Sequence, residues 1–195
     1  MKTLIVIFLL AIYSNLFSQN PGWNDIDTTD ILNLNGDGKL ERIALFANHY
    51  GIHVLKVLYT GDDKHVTYYR LKTTGELDDD IDSTGTYLDD YGDFPNIVGD
   101  ENVLYAVYRK NDTIKVHKST NGGNNWSSIP QRTFLSGDVN CNGVDAVYNS
   151  VKGLHVVWSE EVTEGKVSHY ESYYNRLTEF GWDGSNVPIT DHAII

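Results

Sequence analysis

The stretch STNGGNNW, residues 119–126, places a tryptophan directly after a run of small polar residues and glycines. It shares Ser119 with the preceding run TIKVHKS, residues 113–119, in which apolar and polar side chains alternate. Serine and asparagine side chains hydrogen-bond to nearby backbone groups in turns, and Gly122 and Gly123 can adopt the positive φ that such turns require. The stretch therefore predicts a hairpin between two strands, with Trp126 folded back to cover it.

The alternating pattern extends over the rest of the chain. Short apolar and polar runs recur between clusters of glycine, asparagine and aspartate, and helical periodicity is nearly absent. Three runs end in an aromatic residue, Tyr59, Tyr108 and Trp158, at intervals of about 50 residues. Each run is followed by a polar turn and a second alternating strand. Several strands per unit at this period are typical of β-propeller blades. An all-β sandwich, in which strands also recur regularly, is the alternative.

The predicted fold class is all-β, with residues 20–195 forming part of a β-propeller. Its blades are expected to be four-stranded antiparallel sheets in units at about residues 45–95, 96–145 and 146–195. Closed propellers have about four to eight blades, so three units make an incomplete one. A piece of a longer protein is the favoured explanation; a ring completed by self-association and an open array of sheets are the alternatives. Exposed blade faces and strand edges favour association.

The hairpin resembles the Asp-box, or BNR, repeat of the sialidase-like propeller family, whose consensus is Ser-x-Asp-x-Gly-x-x-Trp. Ser119, Gly123 and Trp126 match that consensus in register, and Asn121 stands where the family has aspartate. The corresponding stretches of the first and third units, RLKTTGEL and NRLTEFGW, match it less well. The resemblance implies a propeller in which these four residues are structural and lie away from any catalytic face.

Sialidase chemistry does not follow from this resemblance. Sialidases hold the substrate carboxylate with three arginines and use a tyrosine nucleophile paired with a glutamate, together with an aspartate as acid and base. None of the five arginines of this chain lies in the Phe/Tyr-Arg-Ile-Pro motif that marks the first of the three. Arg109, Tyr170 and Glu171 have suitable side chains, but we interpret them as ordinary strand and surface residues. No catalytic residue is predicted.

A second motif, NLNGDGKLERIALF, spans residues 33–46. Side-chain oxygens fall at loop positions one, three, five and nine, on Asn33, Asn35, Asp37 and Glu41. This order can wrap a hard cation, and it resembles the calcium loops of FG-GAP-type repeats and dockerins. Only two of the four ligands are charged, so calcium is expected to bind weakly, at roughly 0.1–1 mM. An asparagine-rich β-turn is the alternative.

The N-terminal residues 1–19 combine Lys2 with an apolar run from Leu4 to Ile12 and polar residues after it. A membrane span needs ~20 apolar residues, so this run is too short and is typical of a secretory signal peptide. A buried N-terminal strand or helix is the alternative. The chain is therefore expected to be secreted, extracellular or periplasmic, without a membrane span once the signal peptide is cleaved.

The chain is strongly acidic, with a formal net charge of −12 from 27 acidic and 15 basic residues. Nucleic-acid binding needs a basic surface, so no nucleic-acid partner is expected. Acidic runs at residues 78–82 and 89–93 predict solvated loops, with a weak cation site as the alternative.

These features favour a secreted, non-catalytic propeller module that binds glycans or other cell-surface ligands. The N-terminal part of a sialidase-type glycoside hydrolase is the alternative. A structural or adhesive repeat stiffened by calcium is a third hypothesis.

Overall fold

The computed structural model describes residues 39–60, 63–74, 77–78, 85–133, 141 and 143–190. Within these ranges the chain is all-β, and its strands form three antiparallel sheets, each built from strands consecutive in the sequence. The predicted all-β class and four-stranded antiparallel sheets are confirmed. Helices long and apolar enough to cross a membrane are not found in the described ranges. The predicted signal peptide, residues 1–19, lies outside them.

Each sheet follows the order of the chain. Sheet A contains β1 (Lys39–Asn48), β2 (Gly51–Thr60), β3 (Asp63–Leu71) and β4 (Thr86–Asp90). Sheet B contains β5 (Gly92–Gly99), β6 (Leu104–Lys110), β7 (Thr113–Ser119) and β8 (Ser127–Thr133). Sheet C contains β9 (Gly143–Asn149), β10 (Gly153–Glu164), β11 (Val167–Thr178), β12 (Gly181–Trp182) and β13 (Val187–Pro188). The short strands β12 and β13 both pair with β11 and share the place of a fourth strand.

The three sheets pack in succession, with β5 in contact with both β1 and β9. Because side chains alternate between the two faces of a strand, β6 supplies both interfaces. Ala106 and Tyr108 pack on sheet A, whereas Tyr105 and Val107 pack on sheet C. All four are buried, so both faces of sheet B are covered.

The strand registers identify equivalent positions in the three sheets. On the face that each sheet turns towards the following one, three residues of the second strands occupy equivalent positions: His53, Tyr105 and His155. Their cross-strand partners on the third strand are all cationic: Arg70, Lys118 and Arg176. A cation therefore stands at the same place in every sheet.

The same registers correct the alignment of the aromatic residues. Tyr108 and Trp158 both lie three residues after these equivalent positions, and both face the preceding sheet. In β2 this position belongs to Lys56, so the alignment with Tyr59 was wrong by three residues. Lys56 is buried with its Nζ 3.9 Å from the centre of the Tyr69 ring, so a cation over an aromatic ring takes the place of a large apolar side chain.

Strands β10 and β11 extend beyond their neighbours. β9 pairs with β10 as far as Ser159, and β13 reaches β11 at Tyr173. Beyond these points β10 and β11 pair with each other, up to Glu164 and Val167. Residues 160–171 therefore form a two-stranded ribbon, and no other strand of the described chain runs along either of its edges.

Candidate functional site

The glycine-rich hairpin between β7 and β8 is held by its own polar side chains. Gly123 N donates a hydrogen bond to Ser119 Oγ at 2.9 Å, and Asn125 N donates one to Asn121 Oδ1 at 3.0 Å. Ser119 Oγ donates to Asn121 Oδ1 at 3.0 Å. Gly122 and Gly123 have φ of +66° and +93°, so the expected turn chemistry is present. The Asn121 amide oxygen acts as the acceptor that the Asp-box resemblance assigns to a carboxylate.

The hairpin docks on sheet A through two buried side chains of β3. Arg70 Nη1 donates to Gly122 O at 2.7 Å and to Asn124 Oδ1 at 2.9 Å. The Tyr68 hydroxyl donates to Gly122 O at 3.2 Å. Asp78 Oδ2 accepts from Arg70 Nε at 2.7 Å. The guanidinium can be buried because a carboxylate balances its charge and oxygen atoms accept hydrogen bonds from its N–H groups.

Trp126 contacts the neighbouring sheet. Its ring meets the Tyr68 ring edge-on, with the centroids 4.9 Å apart. Gly123 lies against the same tyrosine, where an added Cβ would come within 1.9 Å of the hydroxyl oxygen. The sequence predicted that Trp126 covers its own hairpin, whereas its ring contact joins sheet B to sheet A.

The acidic residues 89–93 are not a solvated loop, and this prediction was wrong. They belong to the end of β4 and the start of β5, apart from the one residue between these strands. Asp89 forms an ion pair with Lys110, and buried Asp93 forms one with Arg42 at 3.1 Å. Cations from other strands thus pair with Asp89 and Asp93, whereas Asp90 lies beside His65 and stays partly exposed.

The predicted calcium loop falls mostly outside the described residues. Asn33, Asn35 and Asp37 precede them, and Glu41 lies in β1 at a shift of register between Leu40 and Arg42. Across the described ranges, no three His, Cys, Asp or Glu side chains are grouped so that they could hold a metal ion. Calcium binding at residues 33–41 stays a prediction.

A cleft of about 960 Å³ opens between sheets B and C, at the end where β7 passes into its hairpin. Aromatic and cationic side chains contribute to its wall: Tyr105, Tyr148, Phe180, Lys118 and Lys152. The Tyr105 and Tyr148 rings are tilted at 40° with their centroids 5.2 Å apart. Phe180 is 92% exposed, so an apolar ring is offered to solvent at this site.

The cleft exists because the third-to-fourth-strand connections of the sheets differ in length. Residues 120–126 connect β7 to β8, and that long hairpin fills the space beside Arg70 between sheets A and B. Residues 179–180 alone connect β11 to β12, so the corresponding space between sheets B and C stays open. Lys118, the equivalent of Arg70, faces this open space.

The cleft is lined by acidic as well as cationic side chains, Glu179 and Asp183 beside Lys118, Lys152 and Arg176, and this mixture suits a neutral polar ligand. The Lys118 ammonium lies 5.7 Å from the centre of the Tyr105 ring, and within the described residues it makes no hydrogen bond or ion pair. Burial raises the pKa of Tyr105 to about 12, so its hydroxyl stays protonated and can donate a hydrogen bond. The site can therefore combine aromatic stacking with polar contacts.

A second polar cluster lies at the start of the ribbon. The Tyr173 hydroxyl donates to Glu171 Oε2 at 2.6 Å, and His169 Nε2 lies 3.2 Å from Glu171 Oε1. Glu160 stands directly across from Glu171 in the register, and its Oε1 accepts from Trp158 Nε1. Burial, followed by the Glu171 hydrogen bond, raises the pKa of Tyr173 far above its ordinary value.

In this cluster Glu171 is not paired with Tyr170, its neighbour in the sequence. Glu171 pairs with Tyr173, two residues along the strand, because alternate residues share a face. Tyr170 lies on the opposite face of β11 and is exposed. Arg109 donates from Nη1 to the main-chain oxygen of Cys141 at 2.9 Å. The three candidates that were set aside do not form a constellation in the structure.

The comparisons with known proteins give a fold likeness and nothing closer. No protein-family profile and no curated protein sequence matches the chain. Among solved structures, the chain is similar to an endo-1,4-β-xylanase from Bacteroides thetaiotaomicron VPI-5482, with a TM-score of 0.51 and 11% sequence identity. The match covers 78% of this chain and 62% of the xylanase chain, so this chain spans less than two thirds of that protein. At this identity the likeness concerns the fold alone.

Sequence reasoning missed the cleft. Its wall combines residues from β6, β7 and the turns of sheet C that are far apart in sequence, such as Tyr105 and Tyr148. The short connection between β11 and β12, residues 179–180, could have indicated the cleft. A repeat that lacks the long hairpin leaves an open space beside the preceding sheet. The signal has this meaning only once it is known which faces of the sheets meet.

Proposed function

We propose that this chain is a secreted β-propeller repeat module that binds glycans in the cleft between sheets B and C without turning them over. One observation carries the proposal: the cleft presents Tyr105, Tyr148 and Phe180 beside the ammonium of Lys118. Sugar rings pack their C–H faces on aromatic rings, and their hydroxyls accept and donate hydrogen bonds at the edges. The volume lies in the range of sites that hold small ligands.

The propeller part of the proposal is supported by the succession of the sheets. Three four-stranded units follow one another, their first strands are in contact, and sheet B is covered on both faces. Blades of a propeller pack in this manner. The name of the structural neighbour, a xylanase, refers to a polysaccharide and agrees with a carbohydrate ligand.

Glycan-array binding of the full chain, followed by calorimetry on each hit, tests the proposal. We expect Phe180→Ala and Lys118→Met to weaken binding by about tenfold or more, because each removes a main contact of the cleft. Both positions are at least partly exposed, so the fold should be preserved. Tyr170→Ala is the matched control, since it removes an exposed aromatic ring outside the cleft. A blank array on folded protein, or binding that ignores both cleft variants, would contradict the proposal.

The second candidate function is that of a sialidase-type glycoside hydrolase of which this chain is the N-terminal part. The hydrogen bond of 2.6 Å between Tyr173 and Glu171 favours it, because a carboxylate beside a phenol can activate the phenol as a nucleophile. Against it, Tyr173 is buried and its pKa is raised, and both keep the phenol protonated.

A fluorogenic sialoside separates the two functions. Turnover by the parent chain that is lost in both Tyr173→Phe and Glu171→Gln would establish the hydrolase. Binding without release of the fluorophore is the result expected for the non-catalytic module.

A further inference from the structure

We propose that the outward face of sheet C is a docking surface for the third-to-fourth-strand hairpin of a further four-stranded sheet. This face, here called the C face, carries Val147, His155, Val157, Tyr174 and Arg176. The inference rests on the succession of sheets in the proposed function and is independent of glycan binding.

The C face repeats the face of sheet A that receives the hairpin of sheet B. Rows of side chains across three neighbouring strands correspond in the register. One row on sheet A, Phe46, His53 and Arg70, has the counterpart Val147, His155 and Arg176. The next row, Ala44, Leu55 and Tyr68, has the counterpart Asp145, Val157 and Tyr174.

The two faces also share a histidine–tyrosine pair. His53 Nδ1 lies 2.8 Å from the Tyr68 hydroxyl, and His155 Nδ1 lies 2.7 Å from the Tyr174 hydroxyl. The rings are stacked in both pairs, with centroids 6.0 and 5.8 Å apart. Both tyrosine hydroxyls are therefore held in the same way. On sheet A this hydroxyl donates onward to Gly122 O.

An arginine–aspartate pair is repeated as well. Asp78 accepts from Arg70 Nε at 2.7 Å, and Asp183 accepts from Arg176 Nε at 2.6 Å. In each pair the aspartate N–H also donates to the main-chain oxygen of the arginine. The carboxylate thus fixes the guanidinium at Nε, so that the Nη groups can donate to another acceptor. Arg70 uses Nη1 to hold Gly122 O, whereas Arg176 Nη atoms have no acceptor in the described part of the chain.

The counterparts differ in burial. The Arg70 side chain is 5% exposed and that of Arg176 is 32% exposed. Leu55 is fully buried, whereas its counterpart Val157 is 37% exposed. A shallow depression of about 430 Å³ lies over Val157, Ser159 and Ser172. Their counterparts on sheet A pack in one core with Ile97, Ala106 and Tyr108 of sheet B.

The chemistry of the C face identifies its occupant. Oriented guanidinium and phenol donors match a main-chain carbonyl such as Gly122 O, and the depression matches the apolar side chains of a following sheet. The occupant belongs to a further sheet, since the hairpin of this chain is already held by Tyr68 and Arg70. On the opposite face of sheet A, Val54 and Lys56 of β2 are buried, whereas Ile43 and Leu45 of β1 are exposed. The C face continues the A–B and B–C interfaces by one more unit.

The hairpin of this chain provides the probe. A synthetic peptide of residues 116–129, closed by a disulfide between cysteines added at its ends, has Val116 opposite Ile129 as in sheet B. Its hairpin conformation is checked by NMR before use. The full chain, labelled with ¹⁵N, is then titrated with this peptide. We expect saturable shift changes at Tyr174 and Val157, and about tenfold weaker binding to Val157→Lys, which puts a charge into the depression.

Control variants separate this inference from the proposed function. Arg176 also borders the cleft, so Val157→Lys is the variant that reports on the C face alone. Lys118→Met should leave peptide binding unchanged, and Val157→Lys should leave glycan binding unchanged. A Gly123→Ala peptide, which strains the turn, should bind more weakly.

Three results would overturn the inference. They are no binding of a folded hairpin peptide, binding that Val157→Lys does not affect, and self-association of the chain through the C face that the peptide does not displace. The last result would make a second copy of the chain the occupant.

Discussion

Arg70 of sheet A donates a hydrogen bond of 2.7 Å from Nη1 to the main-chain oxygen of Gly122 in sheet B. The contact joins β3 to the hairpin between β7 and β8, the third and fourth strands of the next sheet. Since Asp78 holds the other side of the guanidinium, a buried ion pair and a turn carbonyl form one polar unit between the sheets. Arg70 therefore holds sheets A and B together in addition to the apolar core between them.

Replacing this side chain tests its role. Arg70→Gln should lower the free energy of unfolding by about 2–4 kcal/mol, because Asp78 loses its ion pair with the guanidinium and Gly122 O loses the shorter of two side-chain hydrogen bonds in a buried place. Arg176→Gln is the matched control: its equivalent ion pair is partly exposed and should contribute about 0–1 kcal/mol. Urea denaturation measures both. Equal losses in the two variants would contradict the role of the hairpin contact.

Gly123 is expected to be intolerant of any side chain. Gly123→Ala adds strain at φ +93° and brings Cβ within 1.9 Å of the Tyr68 hydroxyl. Gly181→Ala is the control, since its φ of +112° is also positive but nothing lies within 4 Å. We expect a loss of about 1–2 kcal/mol for Gly181→Ala and about 1–3 kcal/mol more for Gly123→Ala. Thermal unfolding that ranks them in the opposite order would disprove the close packing on Tyr68.

Trp126 and Tyr68 should be energetically coupled across the two sheets. In a double-mutant cycle with Trp126→Leu and Tyr68→Leu, we expect a coupling energy of about 0.5–1.5 kcal/mol from the edge-on ring pair. Trp126→Leu combined with Tyr170→Leu should be additive, because Tyr170 lies on the ribbon of sheet C. Additivity in both cycles would place Trp126 outside the interface.

Stability should fall in mild acid because of His53. Burial, with a smaller effect of the nearby Arg70 charge, lowers the pKa of His53 to about 4. Between pH 6.5 and pH 4 the unfolded chain binds this proton and the folded chain does not. The free energy of unfolding should therefore decrease by up to about 3 kcal/mol as the pH falls through this window. In His53→Gln this part of the pH dependence should disappear. Urea denaturation at several pH values measures it, and a pH dependence that persists in the variant would contradict the prediction.

The local structure of the hairpin could be predicted from the sequence because its determinants are local. Ser119, Asn121 and the two glycines form the turn through contacts within a few residues. The sheet class followed from alternation for the same reason. The contact of Trp126 could not be predicted, since the Tyr68 ring it meets belongs to another sheet.

Interactions between sheets account for the remaining differences. The acidic residues 89–93 had the composition of a solvated loop, but Arg42 and Lys110 approach them from other strands. Lys56 interrupts the series of aromatic residues because a buried ammonium over the Tyr69 ring can replace a large apolar side chain. Neither the pairing of the acidic residues nor the burial of Lys56 can be recognised from alternation or spacing, since both depend on partners distant in sequence.

The ribbon at residues 160–171 is a site at which we expect an inserted sequence to be tolerated. Its turn at residues 165–166 projects beyond the other strands of sheet C, and Gly165 has no neighbour within 4 Å of the position of a Cβ. Exposed turns of this kind are where proteases cut first and where insertions are tolerated. A fluorophore or an affinity tag inserted there would report on the chain while leaving the cleft, the hairpin and the C face in their native surroundings.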